Sequence, residues 1–273
     1  MKAPAFDYQR PRDLAAAAAA LRGASGNAKL LAGGQSLLPM LNLRLARPGI
    51  LVDISRIEEL RGIEDRGDAL RIGAAVTHAE LEDRPLAGGA MLREVAHGIA
   101  YRSVRNRGTI AGSMAHADPA ADWPLALAVL GATLIVDGAQ GRRTMPAGDF
   151  MQGPFTTRLA DGDIIIAVDV PKLSRGARFG YYKFCRKTGE FPEASAAAVF
   201  DPETKQARLY VGALPGAPQP LDDLAYDLAE RGLPALTEAA VDRAVAQIPN
   251  LEPIARRMQR AAVTRAVRQA FAA

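Results

Sequence analysis

The sequence predicts an α+β chain in three stretches, residues 1–55, 56–175 and 176–273. The first is a small α/β part, the second a mixed-sheet part joined to it, and the third a three-stranded antiparallel sheet with a helical bundle. Three observations carry this expectation. The chain opens as strand, helix, strand. The run Asp163-Ile164-Ile165-Ile166-Ala167-Val168-Asp169-Val170 is the strongest buried-strand signal, and Pro171 ends it. Beyond the polar Lys172–Gly176 stretch come three β-rich runs separated by turn chemistry, then a proline-punctuated helical tract.

Taken in order, Phe6-Asp7-Tyr8 is extended, and Pro11 through Leu21 is an alanine-rich helix with an acidic start and Gly23 as its stop. Lys29-Leu30-Leu31 is a short buried strand. Leu37–Asn42 is too apolar for a surface loop and packs inward or lies along a ligand. Ile50–Ile54 and Ala69–Ala74 are strands, and Thr77-His78-Ala79-Glu80 has capping-box spacing for a helix start. Met91–Ile99 is a helix, and another opens at Asp118–Pro124, with Pro119 near its first turn, and ends at Gly131. Thr133–Val136 and Arg142–Met145 flank a hairpin turn. Gly180–Phe184, Ala194–Phe200 and Ala207–Ala213 form a meander, with Asp201–Lys205 as one turn. From Leu221 onward the pattern is helical, and the Arg-rich last helix reads as an amphipathic surface or interface element.

Composition narrows the function. With 273 residues, 49% hydrophobic and 23% charged, the chain reads as a globular protein with a large core. No apolar run reaches the ~18–20 residues of a membrane-spanning helix, and Met1–Tyr8 lacks the apolar centre of a signal peptide, so a cytoplasmic location is expected. The balance of 34 basic against 30 acidic residues is too even and dispersed for a nucleic-acid partner. Arg102, Arg105 and Arg107 are the densest positive feature, suited to a solvated turn, a partner contact or a phosphate. Cys185 is the only cysteine, and His78, His97 and His116 lack ligand spacing, so no metal site is expected. No catalytic triad or carboxylate pair stands out. The chemistry therefore calls for an organic cofactor.

Two glycine segments point to its site: Leu31-Ala32-Gly33-Gly34-Gln35-Ser36-Leu37 and Arg107-Gly108-Thr109-Ile110-Ala111-Gly112-Ser113. Both expose backbone N–H groups that no Cβ shields, as a diphosphate requires. Neither has the Gly-x-Gly-x-x-Gly spacing of a Rossmann dinucleotide site, nor the Gly-Lys-Ser/Thr of a phosphate loop. A diphosphate gripped from two separate turns remains, an arrangement known from flavin proteins.

On these segments, with Phe6-Asp7-Tyr8, Val52-Asp53-Ile54, Ile72-Gly73-Ala74, Asp118-Pro119, Asp122 and Lys183–Lys187, the chain resembles the FAD-binding medium subunit of molybdenum hydroxylases. This is the family of xanthine dehydrogenase and carbon monoxide dehydrogenase, and the resemblance runs the whole length. Gln35, Ala111 and Ser113 depart from the His, Gly and Asn frequent in the family, and Phe191 replaces a tyrosine of the carbon monoxide enzyme. The resemblance implies that the first two stretches are the two halves of an FAD-binding domain. It implies that Leu30, Leu31, Ala32, Gly33, Gly34, Gln35, Ser36 and Leu37 wrap one side of the diphosphate and its sugar. Thr109, Ile110, Ala111, Gly112 and Ser113 would close the other side. Asp122 would accept hydrogen bonds from the ribose, while also suiting a helix N-terminus. Ile165 and Phe191 match positions near the flavin ring, and Lys183 stands beside it or is solvated or inter-subunit.

The family further implies an electron-transfer subunit. A large partner hydroxylates substrate at a molybdenum–pterin centre with water as oxygen source, and a small partner relays electrons through two [2Fe–2S] clusters to FAD. A dimer of such heterotrimers is expected. The alternatives are a self-contained flavin oxidase or dehydrogenase, for which the stretch after Gly176 leaves little room, and a flavin-free structural subunit.

Overall fold

The computed structural model describes residues 2–272. Its chain begins with β1 (Asp7–Gln9), α1 (Leu14–Gly23), β2 (Ala28–Leu31), α2 (Leu37–Asn42) and β3 (Ile50–Asp53). The strands form a parallel sheet in the order β1-β3-β2. Parallel neighbours need crossovers, and α1 and α2 supply them. Asp13 caps α1, its Oδ1 accepting the Ala16 N–H at 2.7 Å. Leu14, Ala17 and Ala18 turn one face of that helix into the core.

The middle of the chain runs through β4 (Ile63–Asp65), β5 (Ala69–Gly73), α3 (His78–Asp83), α4 (Ala90–His97), α5 (Arg102–Arg105), α6 (Ile110–His116) and α7 (Asp122–Leu130). It continues with β6 (Thr133–Gly138), β7 (Gly141–Pro146), β8 (Met151–Gly153), β9 (Thr156–Thr157) and β10 (Ile164–Pro171). The sheet order is β4-β5-β10-β6-β7, antiparallel at every pairing. Among the described strands parallel pairing is thus confined to the first sheet, because β10 returns between β5 and β6 after the long helical excursion. The Thr77–Glu80 capping box forms as expected. The α7 start does not: the helix begins at Asp122, three residues beyond Pro119. The Asp118 side chain takes the Ala120 N–H at 2.9 Å, which holds residues 118–121 as a turn.

The C-terminal part contains β11 (Arg178–Phe184), β12 (Ala194–Asp201), β13 (Gln206–Gly212), β14 (Gln219–Pro220), α8 (Asp222–Arg231), α9 (Glu238–Ala246) and α10 (Pro253–Ala272). Its antiparallel meander has four strands rather than three. The fourth is a two-residue edge strand in which Pro220 sits opposite Tyr210, a place that proline tolerates because an edge residue need not donate.

This sheet is covered on both faces, and β12 shows why: all eight of its residues are buried. Ala197 and Val199 join the first core with Tyr181, while Ala196, Ala198 and Phe200 join a second core with Ala262, Val263 and Ala266 of α10. The terminal helix is therefore largely an inward-packed element, and its arginines occupy the outer face. It approaches β11 so closely that a Cβ on Gly180 would lie 1.9 Å from the Ala266 carbonyl oxygen. On the opposite face lies α7, apolar on all sides after Asp122 and buried at every one of its nine residues. That helix thus ties the two parts together and carries Asp122 and Trp123 at its first turn.

Candidate cofactor site

Both glycine segments line one cavity of about 730 Å³, within the ~300–1,000 Å³ usual for small-molecule sites. The first follows β2, and Gly34 makes the turn with φ +75°, a left-handed conformation that glycine adopts without Cβ strain. Among the described residues no group accepts a hydrogen bond from the N–H of Gln35, Ser36 or Leu37. The second segment is a helix start rather than a turn. Thr109 caps α6, its Oγ1 accepting the Gly112 N–H at 3.0 Å. The first-turn N–H groups of Ile110 and Ala111 have no intrahelical acceptor. Ala111 sits in ordinary helical geometry, so its methyl group fits without strain.

The glycines serve a contact that the sequence did not reveal. A Cβ on Gly33 would lie 2.1 Å from the Arg107 carbonyl oxygen, so the two segments meet backbone to backbone. Arg107 also donates from Nε to the Gly33 carbonyl oxygen at 3.4 Å. The closeness of the two segments to each other requires glycine at position 33.

Of the expected residues, Leu30, Ala32–Leu37, Thr109, Ala111–Ser113, Asp122, Ile165 and Phe191 line the cavity. Leu31 and Ile110 turn into the protein behind its wall. Lys183 lies in neither group: its Nζ is 3.0 Å from Asp122 Oδ1, in an ion pair with both side chains at least nine-tenths buried. The Tyr181 hydroxyl donates to the same oxygen at 2.6 Å. Tyr181 and Lys183 share a face of β11 because strand side chains alternate. Burial pushes the Asp122 carboxyl above the usual carboxylate range, against the pull of the Lys183 ammonium and the Tyr181 hydroxyl. Asp122 Oδ2 has only a 3.4 Å contact with Lys183, so a lone pair remains for a ligand hydroxyl.

The three arginines separate. Arg105 is buried and donates from Nε and Nη2 to Glu82 at 2.7 and 3.1 Å, so it is neither a solvated nor a phosphate-binding group. Arg102 pairs with Glu82 and Asp83 at the surface. Sequence reasoning also missed Phe155 and Thr157, which reach the cavity from the β8–β9 hairpin, and Ile99 and Ala100, which line it beside Gly189.

His78 lies beneath the second segment, its N–H donating to the Gly108 carbonyl oxygen at 2.8 Å. Its ring Nε2 accepts from Trp123 Nε1 at 3.0 Å, so the neutral ring carries its proton on Nδ1. Burial lowers its pKa from 6.5 to about 4, partly opposed by the Thr109 backbone and helped by the Arg105 charge. A depressed folded-state value means stability that is complete above about 6.5 and lost as the pH falls through about 4. Urea unfolding across this window is expected to show a loss of about 3 kcal/mol that His78→Gln removes. Equal pH slopes in both proteins would exclude His78 as the cause.

A family described as the FAD binding domain in molybdopterin dehydrogenase matches residues 4–173. The carbon monoxide dehydrogenase medium chain of Hydrogenophaga pseudoflava is 41% identical over 198 residues, which are 72% of this chain and 69% of that one. The nicotine 6-hydroxylase medium subunit of Paenarthrobacter nicotinovorans is 37% identical over 228 residues, 82% and 80% of the two chains. Among solved structures, carbon monoxide dehydrogenase from Hydrogenophaga pseudoflava lacking the Mo-pyranopterin moiety superposes with a TM-score of 0.92 at 35% identity, covering 100% of this chain and 99% of that one. Quinoline 2-oxidoreductase from Pseudomonas putida 86 gives a TM-score of 0.87 at 30% identity, covering 99% and 98%.

Proposed function

The chain belongs to the family of FAD-binding domains of molybdopterin dehydrogenases, and from that premise we propose that it is the electron-transfer subunit of such a complex. It receives electrons from the [2Fe–2S] clusters of a small subunit and passes them to an external acceptor. The substrate is oxidised on a large molybdenum–pterin subunit, and the assembly is a dimer of heterotrimers in the cytoplasm. No described helix is long and apolar enough to cross a membrane.

The observation that carries this reading is the single cavity walled by both glycine segments. Its features fit FAD: its lining includes residues of two elements whose backbone N–H groups have no acceptor among the described residues, a carboxylate with a lightly used oxygen, and the apolar Ile165 and Phe191. When bound, FAD supplies reversible one- and two-electron chemistry. The chain's own work is to hold and orient it. Leu30–Leu37 and Thr109–Ser113 take opposite sides of the diphosphate, and Asp122 accepts from a ribose hydroxyl. Ile165 and Phe191 border the ring and restrict water there, which tunes its potential. Lys183 acts from behind the wall, aiming the Asp122 carboxyl and favouring its charged form against the opposing effect of burial.

A self-contained oxidase needs a substrate chamber over the flavin. The C-terminal sheet does not supply one, because its faces are filled by α7 and α10. Denaturing the purified chain and chromatographing the released chromophore is expected to give FAD. Recovery of FMN alone would overturn the site assignment, and turnover of an organic substrate by the isolated, FAD-loaded chain would overturn the electron-transfer role.

A further inference from the structure

We propose that Arg105 is a positioning residue for the flavin site, acting through the backbone of Ile99 and Ala100 on the loop that carries Phe191. The inference rests on the FAD reading above and extends it to a residue outside the cavity.

The guanidinium uses its fork on two partners at once. Nε and Nη2 engage the Glu82 carboxylate, while Nη1 donates to the Ile99 and Ala100 carbonyl oxygens at 3.0 and 3.1 Å. Arg105 and Glu82 side chains are only 10% and 14% exposed, so water competes little for these bonds. The carbonyls so held belong to a strained elbow: Ala100 has φ +41°, in the left-handed region that a residue with a Cβ disfavours. Strain of this kind persists only where surrounding contacts over-determine it.

The elbow in turn grips a second segment. The Ala100 N–H donates to the Gly189 carbonyl oxygen at 3.1 Å, and Ile99 and Gly189 form an isolated parallel bridge. Gly189 itself has φ +91°, and a Cβ there would lie 2.7 Å from the Ala100 carbonyl oxygen. Gly189, Glu190 and Phe191 line the cavity, yet Phe191 is 65% exposed and so has little packing of its own to hold it. The line of force therefore runs from Glu82 to Arg105, to the Ala100 elbow, to Gly189, to Phe191. Lysine cannot replace this fork, since one ammonium does not span a carboxylate and two carbonyls in fixed geometry.

The test uses the full chain with FAD bound. Arg105→Lys is expected to speed FAD release about ten- to a hundredfold, the size of losing one or two charge-assisted hydrogen bonds. It should also raise iodide quenching of flavin fluorescence, because the ring gains contact with solvent. Arg102→Ala removes a charge from the same network without touching either carbonyl, and should leave both readouts at the wild-type level. Should Arg105→Lys fail to fold, Gly189→Ala breaks the next link with Arg105 intact and should reproduce the faster release and stronger quenching. Wild-type release and quenching in Arg105→Lys, equal effects in Arg102→Ala, or an unaltered Gly189→Ala would each overturn the proposal. A wild-type protein that fails to bind FAD would instead overturn the functional reading on which it rests.

Discussion

Gly33→Val is expected to yield a chain that retains no flavin and unfolds at markedly lower temperature. The reason is a backbone collision. The new Cβ would stand 2.1 Å from the Arg107 carbonyl oxygen and 2.7 Å from its carbon, and no rotamer change relieves contact with main chain. The β2–α2 turn and the loop before α6 must then separate. Overpacking of this sort costs roughly 1–3 kcal/mol or more. It also splays the two sets of N–H groups that are to meet one diphosphate. Gly33→Ala carries the same Cβ and is expected to lose flavin too, which distinguishes this cause from a branched side chain filling ligand space. The flavin-to-protein absorbance ratio after purification and a thermal melt are the measurements. Full flavin content in the valine variant would remove the first segment from the site.

How much of this was legible depends on how local each signal is. The α1 helix, the Thr77–Glu80 capping box and the β6–β7 hairpin are written within short windows; the last two form where the sequence puts them, while α1 starts at Leu14 rather than Pro11, with Asp13 as its cap instead of a first-turn acid. The buried run of β10 and the turn at Asp201–Lys205 are equally local. Where a side chain competes with the backbone the reading slipped, as at Asp118, whose hydrogen bond to Ala120 delays α7. The β8–β9 hairpin was missed because Pro154 and the left-handed Phe155, φ +56°, interrupt any strand pattern. In the site, the two glycine segments could be found from their small residues, but not that they touch. That contact joins positions 33 and 107, and nothing in either window announces the other. The same distance hid the fate of the charges. Arg105 is claimed by Glu82, 23 positions away, and Asp122 by Tyr181, 59 positions away.

Asp122→Ala is expected to destabilise the chain by about 3–5 kcal/mol, the usual cost of leaving one partner of a buried ion pair uncompensated. The deletion strands the Lys183 ammonium, only 10% exposed, and leaves the Tyr181 hydroxyl without its acceptor at 2.6 Å. The damage falls on the seam between α7 and β11, so it reaches both the cavity wall and the docking of the C-terminal sheet. Asp122→Ala combined with Lys183→Met should recover much of the loss, since an apolar pair in place of a buried ion pair is often close to neutral. Flavin gives a separate reading of the same carboxylate. Bound ligand stabilises the folded state by mass action, so urea unfolding with and without saturating FAD separates the structural cost from the binding cost. If Asp122 serves the ribose as well as Lys183, the double variant regains stability without FAD but still gains less from added FAD than the wild type does. An Asp122→Ala protein as stable as the wild type would show the ion pair to be dispensable. A double variant stabilised by FAD as strongly as the wild type would confine Asp122 to a structural role.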